Sequence, residues 1–142
     1  MSVKQISVFI ENKTGQLAEA TRVLAEKKIN LRALSIADTQ DFGILRIITE
    51  DPESAVAKLK EADYVTAVTD VLAVAITDEP GSLAKILSLL ADASVSVEYT
   101  YAFTSRKVGE AYMIFRVDDY AAAEAALSAA GVKVAVQNEI FA

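Results

Sequence analysis

The chain has no cysteine, no histidine and no tryptophan, and only two prolines and five glycines in 142 residues. Without cysteine there is neither a disulfide framework nor a thiolate metal site. The absence of histidine removes the commonest general base and the commonest metal ligand together. Familiar catalytic constellations are thereby excluded, and neither a metal site nor a cofactor site is expected. No apolar run approaches the ~18 residues of a membrane span. The first residues, Met1-Ser2-Val3-Lys4-Gln5, lack a basic segment followed by an apolar one, so a cytoplasmic chain without membrane contact is expected. Basic charge is also scarce. With a net charge of −6, nucleic-acid binding, which relies on Lys and Arg to neutralise phosphates, is not expected. Arg22, Lys27, Lys28 and Arg32 are interleaved with Glu19 and Glu26, the pattern of a solvated helix face.

What the chain does have is a repeat. Val8-Phe9-Ile10-Glu11-Asn12-Lys13-Thr14-Gly15-Gln16-Leu17-Ala18 returns as Val74-Ala75-Ile76-Thr77-Asp78-Glu79-Pro80-Gly81-Ser82-Leu83-Ala84, at an offset of 66 residues. Two copies of one small folding unit follow. Units of this size bury only about 60% of their unfolded surface and gain stability by packing on a neighbour. The copies are expected to span residues 1–70 and 71–142.

Each copy reads alike. A β-branched run at 6–10, matched at 72–76, predicts a strand, and after each turn glycine the apolar spacing becomes helical, with Leu17, Ala20, Thr21 and Leu24 against Leu83, Ile86, Leu87 and Leu90. Leu17 and Leu83 are expected in the first turn of the core. Alternating segments at 29–36 and 95–101 predict second strands, and turn residues at 38–43 and 104–109 lead into third strands at 44–49 and 111–117. Asp51-Pro52 begins a second helix with proline at its first position, carrying Val56 and Leu59 inward. Its counterpart from Asp119 to Ala130 is anchored by Leu127 and stopped by Gly131. Fourth strands are predicted at 64–71 and 132–137. By Leu59 and Leu127 the offset is 68, so two residues are inserted in the second hairpin or third strand. The order is that of an α+β fold: two ferredoxin-like βαββαβ sandwiches in tandem, each an antiparallel sheet with helices on one face.

On the residues alone the glycine turns admit two readings. Gly15 and Gly81 serve a tight turn in which Asn12 and Asp78 cap the helices, or the glycine lets a ligand approach the backbone at the helix's unsatisfied first N–H groups. In the second reading a carboxylate meets those N–H groups, and an ammonium meets Asn12 or Asp78.

The arrangement resembles the ACT domain, a small regulatory module that binds amino acids. The resemblance rests on strand, Asn12-Lys13-Thr14-Gly15-Gln16-Leu17, helix, then Ile29-Asn30-Leu31 heading the next strand, and on Asp78-Glu79-Pro80-Gly81-Ser82-Leu83, which is closer to the family's Pro-Gly-x-Leu turn. It covers essentially the whole chain, as two such domains in tandem. The segment from Leu34 to Arg46 looks like that of small tandem members with no attached enzyme. The resemblance implies that ligands lie between paired domains, touching this turn and the head of a second strand, where Asn30 stands. It therefore implies a non-catalytic regulatory protein, a small amino acid as ligand, a homodimer, and an enzyme of amino-acid metabolism as partner. The second copy departs with Ser96 for Asn30 and Asp78 for Asn12, and the first with Thr14 for Pro80, so the half-sites are expected to be unequal.

Weaker candidates are the polar hairpin residues Ser35, Asp38, Thr39 and Asp41, and Glu98, Tyr99 and Tyr101 on a second strand. A different class of function, a structural adaptor tethering a separate enzyme with no ligand, uses the same sheet edges. An enzyme is the least favoured reading, since the chain has no close carboxylate pair on a predicted buried face.

Overall fold

A computed structural model describes residues 2–38 and 42–141. The chain divides into two compact units, Lys4–Thr69 and Asp70–Ile140, with Ser2 and Val3 grouping with the second. Ser2 Oγ donates to the Asp70 carboxylate at 2.7 Å.

The first unit runs β1 (Val3–Glu11), α1 (Gln16–Glu26), β2 (Leu31–Asp38), β3 (Phe42–Thr49), α2 (Pro52–Glu61) and into β4 (Val65–Thr77). Its sheet is ordered β2-β3-β1-β4, and β3 pairs antiparallel with both β1 and β2. The second unit begins on the later residues of β4 and continues through α3 (Ser82–Asp92), β5 (Val97–Thr104), β6 (Glu110–Val117), α4 (Tyr120–Ala129) and β7 (Val134–Ala135). There the order is β5-β6-β4-β7, every neighbouring pair antiparallel. Each unit is thus the expected βαββαβ sandwich.

The two cores correspond residue for residue. Ile6, Val8, Leu45 and Ile47 meet Ala20, Leu24, Ala55 and Leu59 in the first. In the second, Leu72, Val74, Met113 and Phe115 meet Ile86, Leu90, Ala123 and Leu127. Strand alternation puts these side chains on one sheet face, and positions four apart on each helix meet them. The two inserted residues lie in the hairpin: β2 and β5 end 66 apart, whereas β3 and β6 begin 68 apart.

Three expectations are corrected. The strands at 64–71 and 72–76 are one continuous strand, β4, because no turn residue separates Val71 from Leu72. The fourth strand of the second unit holds only Val134 and Ala135 before a 3-10 segment, Gln137–Phe141, packs Ile140 inside. Val56 packs against the core partly buried, as expected, with Ala55 fully buried beside Leu59. Leu17 is 39% exposed, whereas Leu83 packs against its core cluster. Of the polar hairpin candidates, Thr39 and Asp41 lie outside the described residues.

The second helix of each unit begins on an aspartate. Asp51 Oδ1 accepts from the Ser54 N–H at 3.1 Å and Asp119 Oδ1 from the Ala122 N–H at 3.0 Å, with Pro52 at the first helical position. Gly131, at φ 77°, stops α4, and the Val132 N–H returns to Leu127 O at 2.9 Å. Replacing Asp51 or Asp119 by alanine is expected to cost about 1 kcal/mol each. Leu59→Ala and Leu127→Ala are expected to cost about 2–5 kcal/mol. Urea denaturation of the four variants measures both losses, and equal losses for cap and core variants would contradict this assignment.

Candidate functional site

The two glycine turns have the same backbone. In the first, the Lys13 N–H bonds Glu11 O at 3.0 Å, the Gln16 N–H bonds Lys13 O at 3.2 Å, and the Glu19 N–H bonds Gly15 O at 3.0 Å. In the second, the Glu79 N–H bonds Thr77 O at 3.0 Å, the Ser82 N–H bonds Glu79 O at 3.3 Å, and the Lys85 N–H bonds Gly81 O at 3.0 Å. Gly15 and Gly81 are the N-caps of α1 and α3, at φ 87° and 92°. That is the left-handed region, where a β-carbon is disfavoured by roughly 1–2 kcal/mol. A β-carbon built on either glycine meets nothing within 4 Å, so conformation and not crowding demands glycine. The space before each turn is open.

The N-cap residues of α1 and α3, Gly15 and Gly81, make no side-chain cap hydrogen bond. The first-turn N–H groups of Leu17, Ala18, Leu83 and Ala84 have no intrahelical partner, as in any helix, and they gather at the positive end of the helix dipole. α2 and α4, in contrast, are closed by their aspartates. Within each unit the first helix starts on a glycine and the second on an aspartate that caps it.

Side chains make the turns unequal. Lys13 Nζ pairs with Glu11 Oε2 at 2.8 Å on the surface. A hydrogen bond and then the charge of Lys13 hold the Glu11 carboxyl below the usual glutamate range, and Glu11 in turn raises Lys13. Lys13 is therefore already engaged. In the second turn the Thr77 hydroxyl donates to Glu79 Oε1 at 3.0 Å and lies 2.7 Å from Ser82 Oγ. Thr77 was not among the sequence candidates; its signal was its position, 66 residues after Glu11. The Asp78 N–H also bonds Gly109 O at 2.8 Å, tying the second turn to the β5–β6 hairpin.

Residues 12–17 stand together at the start of α1, and 78–83 at the start of α3. Asn30 does not join them. It follows the far end of α1, whose 11 residues span about 16 Å. Asn30 instead lines a cleft of about 150 Å³ with Lys28, Glu50, Asp51, Ser54 and Lys58. At the matching place in the second unit, the Ser96 N–H bonds Asp118 Oδ1 at 2.9 Å and the Asp118 N–H bonds Ser96 O at 3.1 Å. The length of the helix therefore separates each turn from the second-strand head of its own unit. Glu98 pairs with Arg116 at 3.2 Å, and Phe103 stacks on Tyr112 at 5.1 Å between centroids, so β5 has structural work for its polar and aromatic groups. Among the described residues, no group of three or more acidic side chains is placed to hold a metal ion.

Carboxylate NMR should show Glu11 titrating below the ordinary glutamate range, and Lys13→Gln should raise its midpoint toward that range. Because its folded pKa is depressed, the ion pair's contribution is present above the unfolded pKa and fades as pH falls through the folded one. A Glu11 midpoint unmoved by the substitution would contradict the pairing.

Comparison with known proteins agrees with this architecture. The model of the "ACT domain pair" family matches residues 1–140. The solved structure of protein BT0572 from Bacteroides thetaiotaomicron is 38% identical, with a TM-score of 0.91, covering 99% of this chain and 96% of that one. The ligand-free regulatory subunit of aspartate kinase from Thermus thermophilus is 18% identical, with a TM-score of 0.64, covering 99% and 93%. No curated protein matches. With two βαββαβ units, each entering its first helix through a left-handed glycine, the chain belongs to the ACT domain family, as an ACT domain pair.

Proposed function

We propose that this chain is a non-catalytic regulatory module that binds a small amino acid at an interdomain or intersubunit interface and passes that state to a partner. The observation that carries the reading is the pair of helix starts with a left-handed glycine as N-cap, each with open space before it. An α-carboxylate at such a start accepts from first-turn N–H groups and gains from the dipole. The ammonium of the same ligand, a few ångströms away, suits the Asp78 carboxylate or the Asn12 amide oxygen. Since Asn30 lies beyond the far end of α1, a helix about 16 Å long that begins at the turn, a ligand using both needs two modules. Binding then fixes the relation of the two, with coupling of about 1–3 kcal/mol.

The regulatory subunit of aspartate kinase, which shares the fold, supports an enzyme of amino-acid metabolism as the partner. No helix among the described residues is long and apolar enough to cross a membrane, in keeping with a cytoplasmic setting. A specific observation favours the adaptor as second reading: large apolar side chains stay exposed on the first unit, as a docking surface requires.

Calorimetry with each of the twenty amino acids separates the two. The regulatory reading expects heat and a thermal shift from at least one; none from any would remove it and leave the adaptor. Gly15→Asn and Gly81→Asn sharpen the test, because asparagine tolerates the left-handed region while its side chain fills the space before the turn. At least one is expected to weaken binding roughly tenfold or more, a loss of about 1.4 kcal/mol, with the far-UV spectrum retained. Valine is a poorer probe, since its branched β-carbon would strain the turn itself.

A further inference from the structure

The two turns carry opposite charges at equivalent places. Lys13 stands before Gly15, and Glu19 closes the first turn of α1; 66 residues on, Glu79 stands before Gly81, and Lys85 closes the first turn of α3. Both signs are exchanged. In the first unit these charges are also engaged, Lys13 by Glu11 and Glu19 by Arg22, whose Nε donates to Glu19 Oε2 at 3.0 Å. The second unit has Thr77 for Glu11 and Ser88 for Arg22, neither of them charged. Glu79 and Lys85 therefore lack the neutralising partners that their counterparts have.

The hydroxyls of the second turn have a set direction. Thr77 donates its one proton to Glu79 Oε1, so across the 2.7 Å contact Ser82 is the donor and Thr77 the acceptor. Ser82 Oγ then has no proton left to give, and its remaining lone pair can only accept. Ser82 is the first residue of α3, beside the first-turn N–H groups of Leu83 and Ala84. An acceptor next to those donors fits a ligand that brings a carboxylate and N–H donors together.

A zwitterion distinguishes the two turns. At the start of α3 its carboxylate meets the N–H groups and the charge of Lys85, and its ammonium meets Ser82 Oγ and the charges of Asp78 and Glu79. At the start of α1 the same orientation brings the carboxylate toward Glu19 and the ammonium toward Lys13. Like charges at both ends oppose binding, although the backbone is shared.

We propose that the second turn is the amino-acid site of this chain and the first is not, with Ser82 Oγ accepting from the ligand's ammonium and Thr77 positioning it. This rests on the regulatory reading above and assigns it to one half-site. The ligand class is an α-amino acid with its ammonium free.

Calorimetry with the tightest-binding of the twenty amino acids, and with its N-acetyl derivative, tests the assignment. One ligand per chain is expected, and acetylation, which removes the ammonium, is expected to weaken binding roughly tenfold or more. Gly81→Asn is expected to weaken it roughly tenfold more than Gly15→Asn does. Glu79→Lys/Lys85→Glu, which gives the second turn the charges of the first, is also expected to weaken it roughly tenfold. Thr77→Val is expected to lose roughly three- to tenfold, and Thr77→Ser, which keeps the hydroxyl, to restore native affinity. Two equal sites per chain, equal losses from the two glycine variants, an N-acetyl derivative that binds as well as its parent, a charge exchange without effect, or native affinity in Thr77→Val would each overturn the assignment and leave the regulatory reading in place. A chain that binds none of the twenty removes both.

Discussion

The conformation of one residue per unit, the left-handed glycine at the entry to α1 and α3, constrains everything near the candidate site. At φ 87° and 92° the chain turns from strand to helix within four residues, and the N-cap residue there has no side chain with which to cap the first turn. The helix dipole and the bare N–H groups are left facing open space. α2 and α4, entered through an extended aspartate, close the same end with a carboxylate and leave nothing to bind with. The contrast is internal to each unit: the same sheet carries one helix sealed by its own sequence and one held open by a glycine.

Duplication kept the backbone and changed the side chains around it. The ion pair of Glu11 with Lys13 and the hydroxyl–carboxylate chain of Thr77, Ser82 and Glu79 occupy equivalent places on equivalent turns. The Asn30 cleft in the first unit meets a closed Ser96–Asp118 bridge in the second. Leu34 and Ile36 on one edge become Thr100 and Ala102 on the other. Within the two core clusters the exchanges are apolar for apolar, as where Ala20 and Leu45 stand for Ile86 and Met113, although buried Thr49 stands for Val117. The surface was free to diverge, and the two units specialise there.

Much of this was legible in the residues. The strand-turn-helix entry, the Asp51-Pro52 start and the Leu127 anchor follow from local rules that depend on short spacings. What was not legible depended on distance or on competition between partners. Leu17 looks like a core residue by periodicity, yet it is exposed, whereas Leu83 at the same place on α3 packs against its core. Residues 132–137 alternate like a strand, but only Val134 and Ala135 pair with β4 before the chain turns to bury Ile140. Asn30 and Gly15 are close in sequence and separated by the length of α1, which no motif records. The engagement of Lys13 with Glu11 also depends on which rotamers meet, and spacing alone does not give that.

The most direct test of the central claim, that the open helix starts receive the ligand's carboxylate, is an amide ¹H–¹⁵N titration of the assigned chain with an amino acid that binds. The account predicts the largest shifts at the first-turn amides, Leu17 and Ala18 or Leu83 and Ala84, with the capped amides of Ser54 and Ala122 unmoved. Saturable shifts that leave all four first-turn amides in place would contradict it.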